Sequence, residues 1–369
     1  MRSKIIQQDR YDALNGLRTL ACIGIVAMHV RANVPEKPTE NFFTTNILGI
    51  AQDFVSMFFM VSAFALCCGY FKRFQNQEII LNKFYHKRYI RIFPFFALLT
   101  FIDVIATFIS ENFSFTATMK ATLYEAFANI SLLFGLIPGA KISVVGVGWF
   151  IGVIFLFYLL FPFFTCLLTS KKKAWIAFII SIGLYFSVKI YFNPIKGVIF
   201  DNSSFMHAAP FFITGGLIYL YKETIKSFKL ILSFSNYTLD IVYVSLLIIT
   251  VGYTIFFFSF PHLRFTLSNL ILYALWIIYA VRESSYMQHK KTLLNNKLMT
   301  SISNISMEIY LCHMMFYRII EKSHLLNKYI TNNDIYFYIT LILTLLGAIY
   351  FAKSWKKWIE PTILKITKE

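Results

Sequence analysis

Long apolar runs separated by short charged segments dominate the chain. A helix needs about 20 mostly apolar residues to cross the hydrocarbon core of a bilayer, and a β-barrel would instead show short alternating segments, which are absent here. The pattern predicts ten transmembrane helices, at 14–34, 47–71, 90–109, 149–168, 174–192, 204–221, 238–259, 265–281, 302–320 and 335–353.

One further stretch, 116–136, is less apolar than these runs. It holds Lys120, Glu125 and Asn129. Charged and amide side chains are unfavourable in the hydrocarbon core but suit its boundary. We therefore predict an interfacial or re-entrant helix there, outside the count of ten.

The basic residues alternate between the two sides of the predicted bundle. Of the 35 Lys and Arg residues, 24 fall in the segments that share a side with the N-terminus, 10 fall on the opposite side, and Arg18 lies within the first helix. Cytoplasmic loops carry the excess of positive charge. The sequence thus predicts an all-α polytopic membrane bundle of about ten helices with both termini cytoplasmic.

Composition excludes several other classes of protein. Hydrophobic residues make up 57% of the chain and charged residues only 14%, against roughly 25% charged in soluble domains. A soluble enzyme, a disordered chain, a disulfide scaffold and a collagen-like fibre are all inconsistent with these values. The net charge of +17 follows from membrane topology, so no nucleic-acid partner is expected. We expect one transmembrane domain over 1–369, with no appended soluble domain, in the cell (plasma or inner) membrane.

Ionisable residues inside apolar runs are costly and therefore need a reason. Arg18 and His29 lie eleven residues apart in the first run, which places both on one helix face, about 16 Å apart along the axis. That face would present a fixed cation near one membrane surface and a titratable imidazole deeper in. The alternative is that Arg18 reaches the headgroups and His29 makes a hydrogen bond inside the bundle.

Several motifs resemble those of one family. The stretch NGLRTLACIGIVAMH (15–29) is similar to the opening signature of the acyltransferase 3 family of integral-membrane O-acyltransferases, an Arg followed after ten residues by a His. The element FYHKRYIRIFP (84–94) resembles the family's basic Arg-x-x-Arg-x-x-Pro motif, here Arg88, Arg91 and Pro94. Four further stretches follow in the family's order: VSMFFMVSAFAL (55–66), GWFIGVIFLFYLLFP (148–162), PFFITGGLIY (210–219) and ISNISMEIYLCH (302–313).

This resemblance implies acyl transfer through the membrane. The donor would be cytoplasmic acyl-CoA, most simply acetyl-CoA, with succinyl transfer as a close variant. The acceptor would be a hydroxyl of a cell-surface or lipid-linked glycan. His29 would take the hydroxyl proton as a general base or act in an acyl relay. A transporter or flippase for a glycan or small anion is the alternative function, since it too would need intramembrane charges.

A basic group at the start of the third run is the candidate site for the donor phosphates. Arg88 and Arg91 are spaced i, i+3 and can share a helix face. With Lys87 they could bind the phosphates of CoA, and Arg18 could bind phosphate or steer the pantetheine arm. The alternative is that these residues only set the topology.

The remaining candidates are single residues. Asp53 could orient His29 by accepting a hydrogen bond from its second ring nitrogen, and His313 is either catalytic or a hydrogen-bonded interhelical residue. Glu308, a possible buried partner of an Arg or His, and Trp149, a possible interface anchor, are candidates for binding the acceptor. No His pair at i, i+4 and no Cys/His cluster has metal-ligand spacing, so no metal is expected.

Overall fold

The computed structural model of the chain describes residues 11–51, 53–136, 145–188, 190, 204–227, 236–260, 266–286 and 291–367. Parts of some predictions lie outside these residues: position 52 of the predicted run 47–71, positions 189, 191 and 192 of 174–192, and position 265 of 265–281. Ten of the Lys and Arg residues in the charge count, among them Arg2, Lys141 and Arg264, also lie outside them.

The described residues are mainly helical and contain no strand, which confirms the predicted all-α class. Their α-helices are α1 (Ala13–Asn33), α2 (Leu48–Ala51), α3 (Phe54–Leu66), α4 (Lys72–Gln75), α5 (Leu81–Ser110), α6 (Ala117–Ser131), α7 (Trp149–Leu167), α8 (Lys171–Ser187), α9 (Phe205–Leu220), α10 (Lys222–Ser227), α11 (Asn236–Ser259), α12 (Asn269–Tyr286), α13 (Lys297–Ser303), α14 (Ser306–Ser323), α15 (Leu325–Tyr329), α16 (Asn333–Ser354) and α17 (Glu360–Ile366).

Five helical segments are long and apolar enough to cross a membrane. They are Ala13–Asn33, Phe54–Gln75, Leu81–Ser110, Trp149–Leu167 and Asn333–Ile366. Each of the other five predicted runs is occupied over most of its described residues by one of the helices α8, α9, α11, α12 and α14. The structure therefore supports a membrane bundle.

The second predicted run differs from the structure at its start. The sequence suggested one helix over 47–71, whereas α2 ends at Ala51 and α3 begins at Phe54, with Asp53 in the turn between them. The buried carboxylate of Asp53 accepts a hydrogen bond of 2.7 Å from Nδ2 of Asn269 in α12. The break thus lies beside a buried polar side chain, at a position that apolarity alone could not predict.

Helix α1 lies at the centre of the bundle. It packs against α3, α12, α13, α14 and α16, and Ile25, Val26 and Val30 are fully buried. Close approach is possible because small residues face its neighbours: a Cβ on Gly16 would lie within 3 Å of the backbone of Leu294. This central position directs the polar residues of α1 toward other helices.

The orientation of the helices around α1 is fixed by contacts at both of its ends. We call the end of the bundle where α1 begins the inner end. There, Thr19 donates a hydrogen bond of 2.7 Å to the carbonyl of Met299, next to α14. Beyond the opposite, outer end of α1, Thr39 bonds Asp334 at the start of α16. Helices α1 and α14 thus run parallel, and α16 runs antiparallel to both.

Candidate active site

Helices α1 and α14 bring two histidines together toward the outer end of the bundle. Nδ1 of His29 lies 2.9 Å from Nε2 of His313, and the two rings are nearly parallel, with an interplanar angle of 14°. His313 is fully buried, while His29 is half-buried. The two residues are 284 positions apart in sequence, so this contact comes entirely from helix packing.

The carbonyl oxygen of Tyr310 determines which ring nitrogen of the histidine pair has an available lone pair. Nδ1 of His313 lies 2.7 Å from the carbonyl oxygen of Tyr310, and a carbonyl can only accept. His313 therefore carries its proton on Nδ1, and in the neutral ring Nε2 is an acceptor. His29 must then donate from its own Nδ1, which leaves the lone pair of its Nε2 available. The arrangement fixes His29 as the member of the pair that can accept a proton.

Three guanidinium groups line one cavity at the inner side of the histidine pair. Arg18 from α1 and Arg88 and Arg91 from α5 border a cavity of about 250 Å³. Arg18 also borders a second cavity of about 400 Å³, whose lining includes Tyr11 and Thr300. Arg88 and Arg91 border the same cavity, as their i, i+3 spacing allows, and Arg18 joins them from another helix. Guanidinium groups in this number favour an anionic ligand, above all a phosphate.

Aromatic side chains hold Arg88 in place. Its Nη2 donates a hydrogen bond of 2.7 Å to the hydroxyl of Tyr70, and its guanidinium lies 5.0 Å from the ring centre of Tyr70 and 5.8 Å from that of Tyr158. Such cation–π contacts orient the planar group. Nε of Arg88 is buried without a hydrogen-bond partner in the described part of the chain, as expected of a site that a polar ligand completes.

The carboxylates of Glu308 and Glu360 hold Arg91 in place. Its Nη1 lies 3.1 Å from Oε1 of Glu360 and 3.8 Å from Oε1 of Glu308. Lys356 approaches the same two oxygens, at 2.7 Å and 3.1 Å. Glu308 is 1% exposed, and its second oxygen has no hydrogen-bond partner among the described residues. Glu308 is thus a buried partner of Arg91, as the sequence suggested, and also of Lys356.

The cavity and the histidine pair are adjacent along α14. Ser306, Met307 and Tyr310 line the cavity, and His313 follows one turn later. The hydroxyl of Tyr310 donates a hydrogen bond of 2.8 Å to the carbonyl of Val147, and the Tyr310 ring packs against Phe150. Tyr310 thus lies at the end of the cavity nearest His313.

Two of the predicted candidates lie elsewhere. Asp53 does not orient His29, as the sequence suggested: its carboxylate binds Asn269, and Nδ1 of His29 is already bonded to His313. Lys87 is exposed and is not among the residues that line the cavity. Lys87 lies on the expected helix α5 and Asp53 in the turn before α3, but the direction of each side chain depends on neighbours that the sequence does not identify.

Two other predictions concern the acceptor and metal ions. Trp149 is the first residue of α7, half-buried against the core, and its role in binding the acceptor stays a prediction. Over the described residues, no group of three or more His, Cys, Asp or Glu side chains could hold a metal ion.

Sequence reasoning missed four residues that lie next to the cavity arginines: Tyr70, Tyr158, Lys356 and Glu360. Tyr70 and Tyr158 looked like ordinary membrane aromatics, and Lys356 was counted only as a topology signal. The i, i+4 spacing of Lys356 and Glu360 was a visible sign of an ion pair. Glu308, which also pairs with Lys356, lies 48 positions before Lys356 in the chain. No local pattern connects Glu308 to Lys356 and Glu360.

A family model described as an acyltransferase domain, of the acyltransferase 3 type, matches residues 11–353. The match includes both histidines and the three cavity arginines, whereas Lys356 and Glu360 follow its last residue. No curated protein and no solved structure matches the chain.

Proposed function

The chain belongs to the acyltransferase 3 family, and from that premise we propose that it transfers an acetyl group from acetyl-CoA to a hydroxyl of a cell-surface or lipid-linked glycan in the cell membrane. Membrane acyl transfer in general follows from the family. The observation that carries the proposal for the donor is the convergence of Arg18, Arg88 and Arg91 on one cavity next to the histidine pair.

The cavity has the charge that the phosphates of CoA need. Each guanidinium offers several donors in a planar fork, which suits phosphate oxygens. Arg18 borders both cavities, and His29 lies about 16 Å farther along the same helix. The pantetheine arm of CoA is an extended chain of comparable length. Phosphates bound by the arginines would therefore place the thioester near His29.

The histidine pair supplies the proton transfer. The acceptor hydroxyl oxygen attacks the thioester carbonyl carbon while its proton passes to Nε2 of His29, the nitrogen that His313 leaves free. The C–S bond then breaks, the ester forms, and the thiolate takes up a proton to give free CoA. His313 contributes by fixing the ring of His29, because its Nε2 accepts a hydrogen bond from Nδ1 of His29.

The test uses membranes that contain the full chain and acetyl-CoA labelled in its acetyl group. We expect the wild type to move label into a polymer or lipid-linked fraction. His29→Ala should reduce transfer by about 100-fold or more, the usual contribution of a general base. The matched control is His86→Ala, because His86 is an exposed histidine of α5 that lines neither cavity.

The outcomes separate the parts of the proposal. Full transfer by His29→Ala would overturn the role of His29. Absence of label transfer by the wild type, with transfer restored by succinyl-CoA, would replace the acetyl group by succinyl. Flux of a glycan or anion without any acyl-CoA would favour a transporter. Weaker CoA binding by Arg88→Gln, with transfer still detectable at high donor concentration, is the expected sign of a phosphate contact.

A further inference from the structure

The C-terminal part of the chain reaches into the arginine site. Helix α16 ends at Ser354, a π-helical turn covers Trp355–Ile359, and α17 begins at Glu360 with Pro361 in its first turn. This turn places Nζ of Lys356 and the carboxylate of Glu360 beside Arg91 of α5. π-helical turns occur often at functional sites.

The two carboxylates in this group differ in how firmly they are held. Glu308 is 1% exposed and belongs to α14, whose first half is buried in the core. Glu360 is 21% exposed, and α17 contributes no buried residue. Glu360 can therefore exchange its contacts at lower cost than Glu308, whose displacement would disrupt the core.

We propose that Lys356 is a further binding residue for the phosphates of the acyl-CoA donor, and that Glu360 is a built-in anion which those phosphates displace. This inference rests on the proposed function. It adds to the arginine site a cation and a competing carboxylate from a segment that lies beyond the family match.

The charges around the site support an exchange of anions. The site described above contains the cations Arg18, Arg88, Arg91 and Lys356 and the carboxylates Glu308 and Glu360. Oε1 of Glu360 binds both Arg91 and Lys356, at 3.1 Å and 2.7 Å. A phosphate carries more charge and more acceptor oxygens than a carboxylate, so it can replace Glu360 at both cations. Glu308 would remain and keep the two cations in position.

The exposure of Arg91 also supports replacement of Glu360 by a phosphate. Its side chain is 40% exposed although it lines the cavity, so an anion arriving from the inner end can reach it. Ion pairs that water can reach contribute little net stability. The contacts of Glu360 with Arg91 and Lys356 are therefore weak enough to be exchanged for those of a bound phosphate.

The experiment measures CoA binding to the purified full-length protein in lipid nanodiscs by calorimetry. The variants are Glu360→Gln, Lys356→Gln and Lys356→Arg. The matched control is Lys357→Gln, because Lys357 is the exposed neighbour of Lys356 and lies against the ring of Trp358. Pantetheine, which lacks the phosphates, serves as the second ligand.

We expect Glu360→Gln to bind CoA about three-fold more tightly, since a weak competing anion is removed. Lys356→Gln should bind CoA about ten-fold more weakly through loss of a charge-assisted contact. Lys356→Arg should restore most of that affinity, which excludes misfolding as the cause. Lys357→Gln should match the wild type, and pantetheine should bind all variants equally.

Unchanged CoA affinity in Glu360→Gln would overturn the competing role of Glu360. Unchanged affinity in Lys356→Gln would overturn the role of Lys356 in binding phosphate. In both cases, CoA binding by the wild type would leave the proposed function intact. If the wild type itself binds no CoA, the proposed donor is wrong, and this inference fails with it.

Discussion

Replacement of His313 tests whether its role is to orient His29 or to take part in the chemistry. His313→Leu keeps a similar volume in a fully buried position but removes the acceptor that lies 2.9 Å from Nδ1 of His29. The ring of His29 can then rotate, and its Nε2 is no longer the only nitrogen with a free lone pair. The expected change is in the rate of transfer, and the affinity for the donor should be retained.

The magnitude follows from the hydrogen bond that is lost. A neutral hydrogen bond contributes about 0.5–1.5 kcal/mol net, and an unpaired buried polar group costs about 1–3 kcal/mol. If about 1.5–3 kcal/mol of this appears in the barrier, kcat falls by about 10- to 100-fold. His313→Gln, which can place an amide oxygen near the position of Nε2, should recover part of the loss.

The assay is steady-state acyl transfer in nanodiscs, with kcat and KM determined separately. We expect His313→Leu to lower kcat with KM for acetyl-CoA unchanged. The double variant His29→Ala/His313→Leu should be no slower than His29→Ala alone, because an orienting residue has no effect once its target is absent. A double variant that is much slower than both single variants would refute this reasoning, as would a His313→Leu enzyme with full kcat.

Three further changes probe packing rather than chemistry. Gly215→Val should prevent stable folding, because its Cβ would lie within 3 Å of the Met60 carbonyl where α9 crosses α3; thermal unfolding in detergent measures this, and Gly183→Val, in open space, is the control. Asp103→Asn should lower the free energy of unfolding by less than about 1 kcal/mol, since its partner Arg318 is 48% exposed. A large drop in the unfolding midpoint would contradict this. Tyr310→Phe should lower stability by about 1–3 kcal/mol through loss of the bond to Val147, which a shift of the unfolding midpoint would detect.

The helices were predictable because crossing a bilayer imposes a length and an apolar composition on each of them. The shared face of Arg18 and His29 was also predictable, since the helical repeat depends only on their spacing. In the structure, Arg18 lines the cavity and His29 contacts α14. The positions of the helices and the shared face of Arg18 and His29 follow from local rules that hold whatever the neighbouring helices are, whereas the contact of His29 with α14 does not.

Partners on other helices were much harder to predict. Asp53 seemed suitable for His29 on chemical grounds, but the turn before α3 directs it to Asn269 instead. His313 takes that place because α1 and α14 lie parallel in contact over much of their length. Several helices carry a buried polar group, and the apolar pattern alone does not reveal which faces meet.

The fixed separation of Arg18 and His29 on one helix has a consequence for selectivity. An α-helix is stiff, so the interval of about 16 Å between the two residues acts as a ruler. A donor whose reactive carbon lies much nearer to its phosphates, or much farther from them, cannot engage both ends together. This fixed distance constrains the length of the carrier but not the size of the group that the carrier delivers. If CoA is the donor, as proposed, α1 would select the length of the carrier arm, and the size of the acyl group would be left to the side chains around the histidine pair.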